Sequence, residues 1–133
     1  MINLIYGPKG SGKTGKIMDA VNNACKTSSG SVVFITDNAR SLDIDRNVRF
    51  VNVNDYDVKW DCCLAAFIKG MVAANSDNLE IYIDGATRIL GKSAEQLEEF
   101  MTELENLSTR LGINITLTVS TGEKLPKFML KYV

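Results

Sequence analysis

Apolar positions along the chain follow two periods, and the periods take turns. Asn3 to Tyr6 is a short apolar run halted at Gly7, the pattern of a strand buried on both faces. From Lys13 to about Lys26, Ile17, Ala20, Val21 and Ala24 recur at spacings of three and four, which predicts a helix with one buried stripe. Thr27-Ser28-Ser29-Gly30 breaks it, and Ser31 to Thr36 is a β-branched, apolar second strand ending at Asp37-Asn38. Arg49 to Val53 alternates and suits an edge strand. A helix between Trp60 and Val72 is expected to bury Trp60, Cys63, Leu64, Phe67, Ile68, Met71 and Val72, with Ser76-Asp77-Asn78 as the turn after it. Leu79 to Ile83 is a further strand, delivering Asp84-Gly85 at its end. Ser93 and Gln96 form a capping-box pattern that starts a long helix with the stripe Leu97, Phe100, Met101, Leu104, Leu107 and Leu111, stopped by Gly112. Ile113 to Val119 is the next strand, closing in Ser120-Thr121-Gly122, and Lys127 to Val133 alternates as a last strand.

Strand and helix in alternation imply an α/β fold: a three-layer α/β/α sandwich with a mainly parallel central sheet. In such sheets ligands bind beyond the carboxyl ends of the strands. Gly7, Asp37, Asp84 and Ser120 all fall at such ends, so chemistry-bearing residues from four segments are expected along one edge.

Composition narrows the classes. The 133 residues fit one domain spanning 1–133, with 45% hydrophobic and 23% charged residues. Fifteen Lys and Arg against sixteen Asp and Glu give a net charge of −1, so no global field draws the chain to nucleic acid. No apolar run is long enough for a membrane span, and Met1 to Tyr6 lacks the basic start of a secretory signal, which points to the cytoplasm. Cys25, Cys62 and Cys63 lack zinc-site spacing, and the chain has no histidine. They read as small hydrophobes in a reducing compartment. The absence of histidine leaves acid–base chemistry to carboxylates, lysine or bound water.

Gly7-Pro8-Lys9-Gly10-Ser11-Gly12-Lys13-Thr14 matches G-x-x-x-x-G-K-[ST] at every fixed position. A triphosphate is a dense anion, and glycines let backbone amides wrap it where a Cβ would obstruct. A helix starting near Lys13 adds its positive dipole end. Lys13 is placed to reach the β and γ phosphates, and the Thr14 hydroxyl to ligate Mg²⁺. Leu79 to Asp84 has the form of a Walker B strand, with Asp84 in the outer shell of a hard ion that keeps several waters. Lys9 reads as a solvated or phosphate-assisting charge, since Pro8 occupies the offset at which some ATPases carry a lysine that crosses a dimer. The residue after Asp84 is Gly85, where many strand-type ATPases place the glutamate that activates water. Asp37 is the first candidate to replace it, and Glu123 the second.

With these residues in place the chain resembles the RecA-like branch of the P-loop NTPases. The likeness rests on the loop, on Ile81 to Arg88, and on Leu104 to Thr118, where helix, glycine and strand follow one another. The resemblance implies that the place of the family's catalytic glutamate falls at Asp37 or Asn38, of which only Asp37 is an acid, with a polar sensor at Ser120 or Thr121 and a basic residue from a neighbouring subunit. Arg88, Arg110, Lys124 and Lys127 could serve in that last role in a homo-oligomer. Three readings follow: a slow Mg-dependent ATPase coupling nucleotide state to a protein partner; a switch that binds nucleotide and hardly hydrolyses; and a small nucleoside or nucleotide kinase, whose loop is similar. The kinase reading lacks a zinc-binding cysteine set and an arginine-rich lid. ATP is expected over GTP because no Asn-Lys-x-Asp base-reading motif is present.

Overall fold

Five runs rich in β-branched and aliphatic residues form the sheet of the computed structural model, which describes residues 1–38, 43–75, 78–122 and 124–133. They are β1 (Ile2–Gly7), β2 (Val32–Thr36), β3 (Arg49–Asn52), β4 (Glu80–Asp84) and β5 (Asn114–Ser120). All neighbours run parallel, in the order β1-β5-β4-β2-β3. Burial follows position in that order. Every residue of β2 is buried and β4 is nearly so, as expected of central parallel strands covered on both faces. The edge strands β1 and β3 keep exposed positions such as Asn3, Arg49 and Phe50.

Two cores lie on opposite faces of the sheet. Helix α1 (Lys13–Thr27) packs Ile17, Val21 and Ala24 against Val32, Phe34 and Tyr82. On the other face, α2 (Asp61–Ala74), α3 (Ala86–Leu90) and α4 (Glu98–Leu111) set Leu64, Ile68, Leu90, Phe100, Met101 and Leu104 against Val33, Ile35, Ile81, Ile83, Ile115 and Leu117. Fully burying a side chain of this size contributes about 1.5–3 kcal/mol. The dozen largest such residues, drawn from both faces, therefore fix how helices sit on the sheet and hence where the strand ends project.

Several expectations need correction. Lys127–Tyr132 is a 3-10 run and not a strand; Pro126 precedes it, and Met129 and Tyr132 turn into the core beside β1. The alternation of apolar residues there arose from a helical turn that buries every third position. Trp60 does not join the buried face of α2, because it is the N-cap residue and stands 64% exposed. Leu111 is likewise exposed at the end of α4. The capping box at Ser93 and Gln96 is present, but it opens a 3-10 turn, Ala94–Leu97, before α4 begins. The expected mainly parallel sheet is present, and it is parallel throughout the described strands. Ser76 and Asp77 of the turn expected at Ser76-Asp77-Asn78 lie outside the described residues, and so does Glu123.

No helix among the described residues is long and apolar enough to cross a membrane.

Candidate functional site

The register of the sheet brings the strand ends together. Gly7 is level with Ser120, and Thr36 is level with Asp84, so the loops after β1, β2, β4 and β5 open along one edge. The 8–12 segment after β1 curls tightly, with the Ser11 N–H donating to the Pro8 carbonyl at 3.2 Å. Gly10 and Gly12 take φ of +82° and +87°, which L side chains rarely adopt. Gly7 is demanded by closeness instead: a Cβ there would lie 2.6 Å from the Ser11 hydroxyl. Gly12 caps α1 without a side-chain hydrogen bond, so amides of the first turn stay available to a ligand.

Lys13 opens α1 and folds back over the loop, its Nζ donating to the Pro8 carbonyl at 2.9 Å. It is only 9% exposed. Burial lowers its pKa below the ordinary lysine value; Asp84 pulls the other way, and Arg88 adds to the lowering. The ammonium is thus under-compensated, a state that a bound anion would relieve.

Thr14, one residue on, donates its hydroxyl to Asp84, with Oγ1 3.2 Å from Oδ2 and 3.4 Å from Oδ1. Asp84 is 3% exposed at the end of β4. Its Oδ1 also accepts from the Thr118 hydroxyl at 2.8 Å, and that hydroxyl accepts from the Gly85 N–H at 2.7 Å. Arg88 reaches Asp84 Oδ2 from the other side at 3.6 Å. A buried carboxylate is therefore held in place by two hydroxyls and one cation, as burial of a charge requires.

Lys9, Gly10, Gly12, Lys13, Thr14, Asp84 and Arg88 line one cavity of about 260 Å³. Three of the lining side chains are cationic and one is acidic, an arrangement suited to an anion accompanied by a cation. Among the described residues no cluster of three or more Cys, Asp or Glu could cage a metal alone. A Mg²⁺ that brings its own phosphate ligands and waters needs only the hydroxyl of Thr14 and the carboxylate of Asp84. A larger cavity, about 610 Å³, opens at the opposite end of the strands beside Asn23, Thr27, Asn78, Glu80, Tyr82 and Asn114. Among the described residues none of its lining is cationic, and one buried carboxylate oxygen, Glu80 Oε2, has no hydrogen-bond partner. Size favours that cavity, but the chemistry for an anion lies in the smaller one.

Asp37 follows β2 and accepts a fork from Arg88: Nη2 lies 3.0 Å from Oδ1, and Nε lies 3.3 and 3.4 Å from the two oxygens. It does not line the cavity; Arg88 stands between. For Arg88, burial opposes the charged form, but Asp37 and Asp84 together hold its pKa above the ordinary arginine value. Gly85 makes this placement possible. Its φ is +88°, and a Cβ there would lie 2.2 Å from Arg88 Nη2. Ser120 ends β5 beside Gly7 and does not line the cavity, whereas Thr118, two residues earlier, is the β5 hydroxyl that touches the acid.

Of the residues expected from sequence, the loop, Lys13, Thr14 and Asp84 converge; Asp37 adjoins them through Arg88; Ser120 stands off. Arg110 lies near the end of α4, just before β5 starts, and so at the far edge of the sheet. Thr118 was hidden because it sits in the middle of an apolar strand, where a threonine reads as a β-former. No protein-family model matches the chain, and no curated protein matches its sequence.

Proposed function

We propose that the chain has a P-loop NTPase fold and binds Mg-ATP, and that it acts as a slow RecA-like ATPase coupling nucleotide state to a protein partner. The observation that carries the reading is the meeting of Lys13, Thr14 and Asp84 around one cavity at the mouth of a glycine loop whose backbone is shaped for an anion. The amides after Gly12 and the Lys13 ammonium would hold the phosphates; Thr14 and Asp84 would hold the metal. Bound there, Mg²⁺ neutralises phosphate charge and orients the terminal group. The chain's own part is to fix these donors before the nucleotide arrives, so that little reorganisation is needed.

A second reading, a switch that binds and hardly hydrolyses, is favoured by one observation. Among the described residues the only carboxylate lining the cavity is Asp84, which Thr14 and Thr118 already engage, and Asp37 is tied to Arg88. Titration of ATP with and without Mg²⁺, followed by phosphate release from the same sample, tests both. Mg-dependent binding with slow release supports the ATPase; binding without release supports the switch; no binding in either condition defeats both.

A further inference from the structure

We propose that Arg88 contacts the terminal phosphate of a bound nucleoside triphosphate from within the same chain, exchanging its Asp37 partner for that phosphate. The chain would thereby tell triphosphate from diphosphate without a second subunit. The inference rests on the reading that the 260 Å³ cavity takes a nucleotide, and it concerns a residue that reading does not need.

Three features of the structure lead to it. Arg88 lines the cavity with Lys13 and Thr14, so its guanidinium already borders the space that the loop and the acid define. Its main partner is replaceable. The Arg88–Asp37 pair is partly solvent-exposed, at 45% and 24% for the two side chains, and only one of its three contacts is as short as 3.0 Å, so solvent screening leaves it open to competition from a stronger anion. A phosphate offers the same planar fork two or more oxygens of greater charge. The third feature is the backbone beneath it. Gly85 and Gly91, at φ of +88° and +63°, bracket the five-residue α3 and turn Arg88 back over the end of β4. Without a Cβ at position 85, the guanidinium lies directly on that turn, between Asp37 on one side and Asp84 on the other.

The position has a consequence for Asp37. While Arg88 holds it, its lone pairs are engaged; once Arg88 turns to phosphate, the carboxylate is freed of that partner. Recognition of the terminal phosphate and liberation of the Asp37 carboxylate would then be one event. A cation supplied by a neighbouring subunit, as the resemblance implies, is not required for this.

The experiment is calorimetric titration of Mg-ATP and Mg-ADP into the full chain and into Arg88→Gln, Arg88→Lys and Asp37→Asn. Each protein is first checked by circular dichroism and thermal melting, at concentrations where sedimentation shows a monomer. The expected result is a parent that prefers ATP, an Arg88→Gln variant whose ATP/ADP affinity ratio falls at least tenfold, and Arg88→Lys in between. Asp37→Asn, with the competing charge removed, keeps or raises the ratio. An unchanged ratio in folded Arg88→Gln overturns the inference and leaves the nucleotide site standing. A ratio that falls in Asp37→Asn, or a preference that appears only in oligomers, overturns the exchange in cis. Failure of the parent to bind either nucleotide overturns the inference together with the nucleotide site.

Discussion

The Thr118 hydroxyl lies 2.8 Å from Asp84 Oδ1 and 2.7 Å from the Gly85 N–H, so one oxygen on β5 fixes both the acid of β4 and the turn that follows it. The relation depends on β5 standing beside β4 in the sheet, which places a central-strand side chain next to the end of its neighbour. Thr118→Val keeps the shape and deletes the oxygen. It leaves the Gly85 N–H without this partner in a buried place, a loss of about 1–3 kcal/mol. The melting temperature is expected to fall by roughly 3–10 °C, and Mg²⁺-dependent nucleotide binding to weaken, because the carboxylate is no longer aimed. Thr118→Ser restores both. A Val variant with parental melting and parental metal dependence would show that the hydroxyl merely fills space.

Lys13 offers a test that separates ligand from fold. Lys13→Met keeps the aliphatic stem and removes the charge. Triphosphate affinity should drop by about 10- to 150-fold or more, the worth of a charge-assisted contact of 1.5–3 kcal/mol. Stability without ligand should move the other way. Burial depresses the Lys13 pKa in the folded chain, with opposition from Asp84, so between that value and 10.5 the unfolded chain binds more protons than the folded one. Parent stability therefore gains from Lys13 as pH rises through that window, and at neutral pH the buried charge is a cost. The variant's melting temperature is expected to equal or exceed the parent's at pH 7, with the advantage shrinking toward pH 10.5. Thermal melts across that range check the sign.

Asp84→Asn preserves an acceptor for Thr118 and Thr14 but removes the negative charge. An acid that supports a metal from its outer shell typically accounts for 10–100-fold in metal affinity. The Mg²⁺ midpoint measured at fixed ATP is expected to shift upward by about that factor, while binding of metal-free nucleotide changes little. Superimposable Mg²⁺ curves for the two proteins would reduce Asp84 to a partner of Thr118 and Arg88.

What could be read from the sequence was whatever is governed by neighbours along the chain. The motif from Gly7 to Thr14 is a run of consecutive residues, and β2 and β4 declare themselves as unbroken apolar runs. The placing of Gly7, Asp37, Asp84 and Ser120 along one edge followed from the rule that ligands sit beyond the carboxyl ends of parallel strands, and the register sets Gly7 level with Ser120 and Asp84 level with Thr36. Contacts across the sheet were not readable in that way. Thr118 depends on strand order, which no local pattern encodes, and Arg88 on two left-handed glycines that turn a five-residue helix back over β4. The 127–133 segment failed for a related reason. Apolar positions at every second or third residue fit a strand or a tight helix equally, and docking of Met129 and Tyr132 beside β1 decided between them.

In the proposed ATPase the rate of hydrolysis would turn on Asp37. An oriented general base contributes about 10²- to 10⁴-fold, whereas the loop, Lys13 and the metal act by position and charge and do not depend on it. Position 85 cannot supply the base: its backbone is left-handed, and the Arg88 guanidinium occupies the space a side chain would enter. Asp37 is a methylene shorter than glutamate and is held by Arg88 until that pair opens. Both facts argue for slow turnover, well under the roughly 1 s⁻¹ at the low end of ordinary enzymes. If Asp37 nonetheless activates water after Arg88 turns away, Asp37→Asn will cut single-turnover phosphate release at least tenfold without lowering ATP affinity. Arg88→Gln will then slow release as well, since phosphate recognition and release of the carboxylate are coupled. If Asp37→Asn leaves a barely measurable rate unchanged, the chain is a switch. Brisk hydrolysis that survives simultaneous replacement of Asp37 and Glu123 would defeat both versions, because Asp84, the one acid lining the cavity among the described residues, is committed to Thr14 and Thr118.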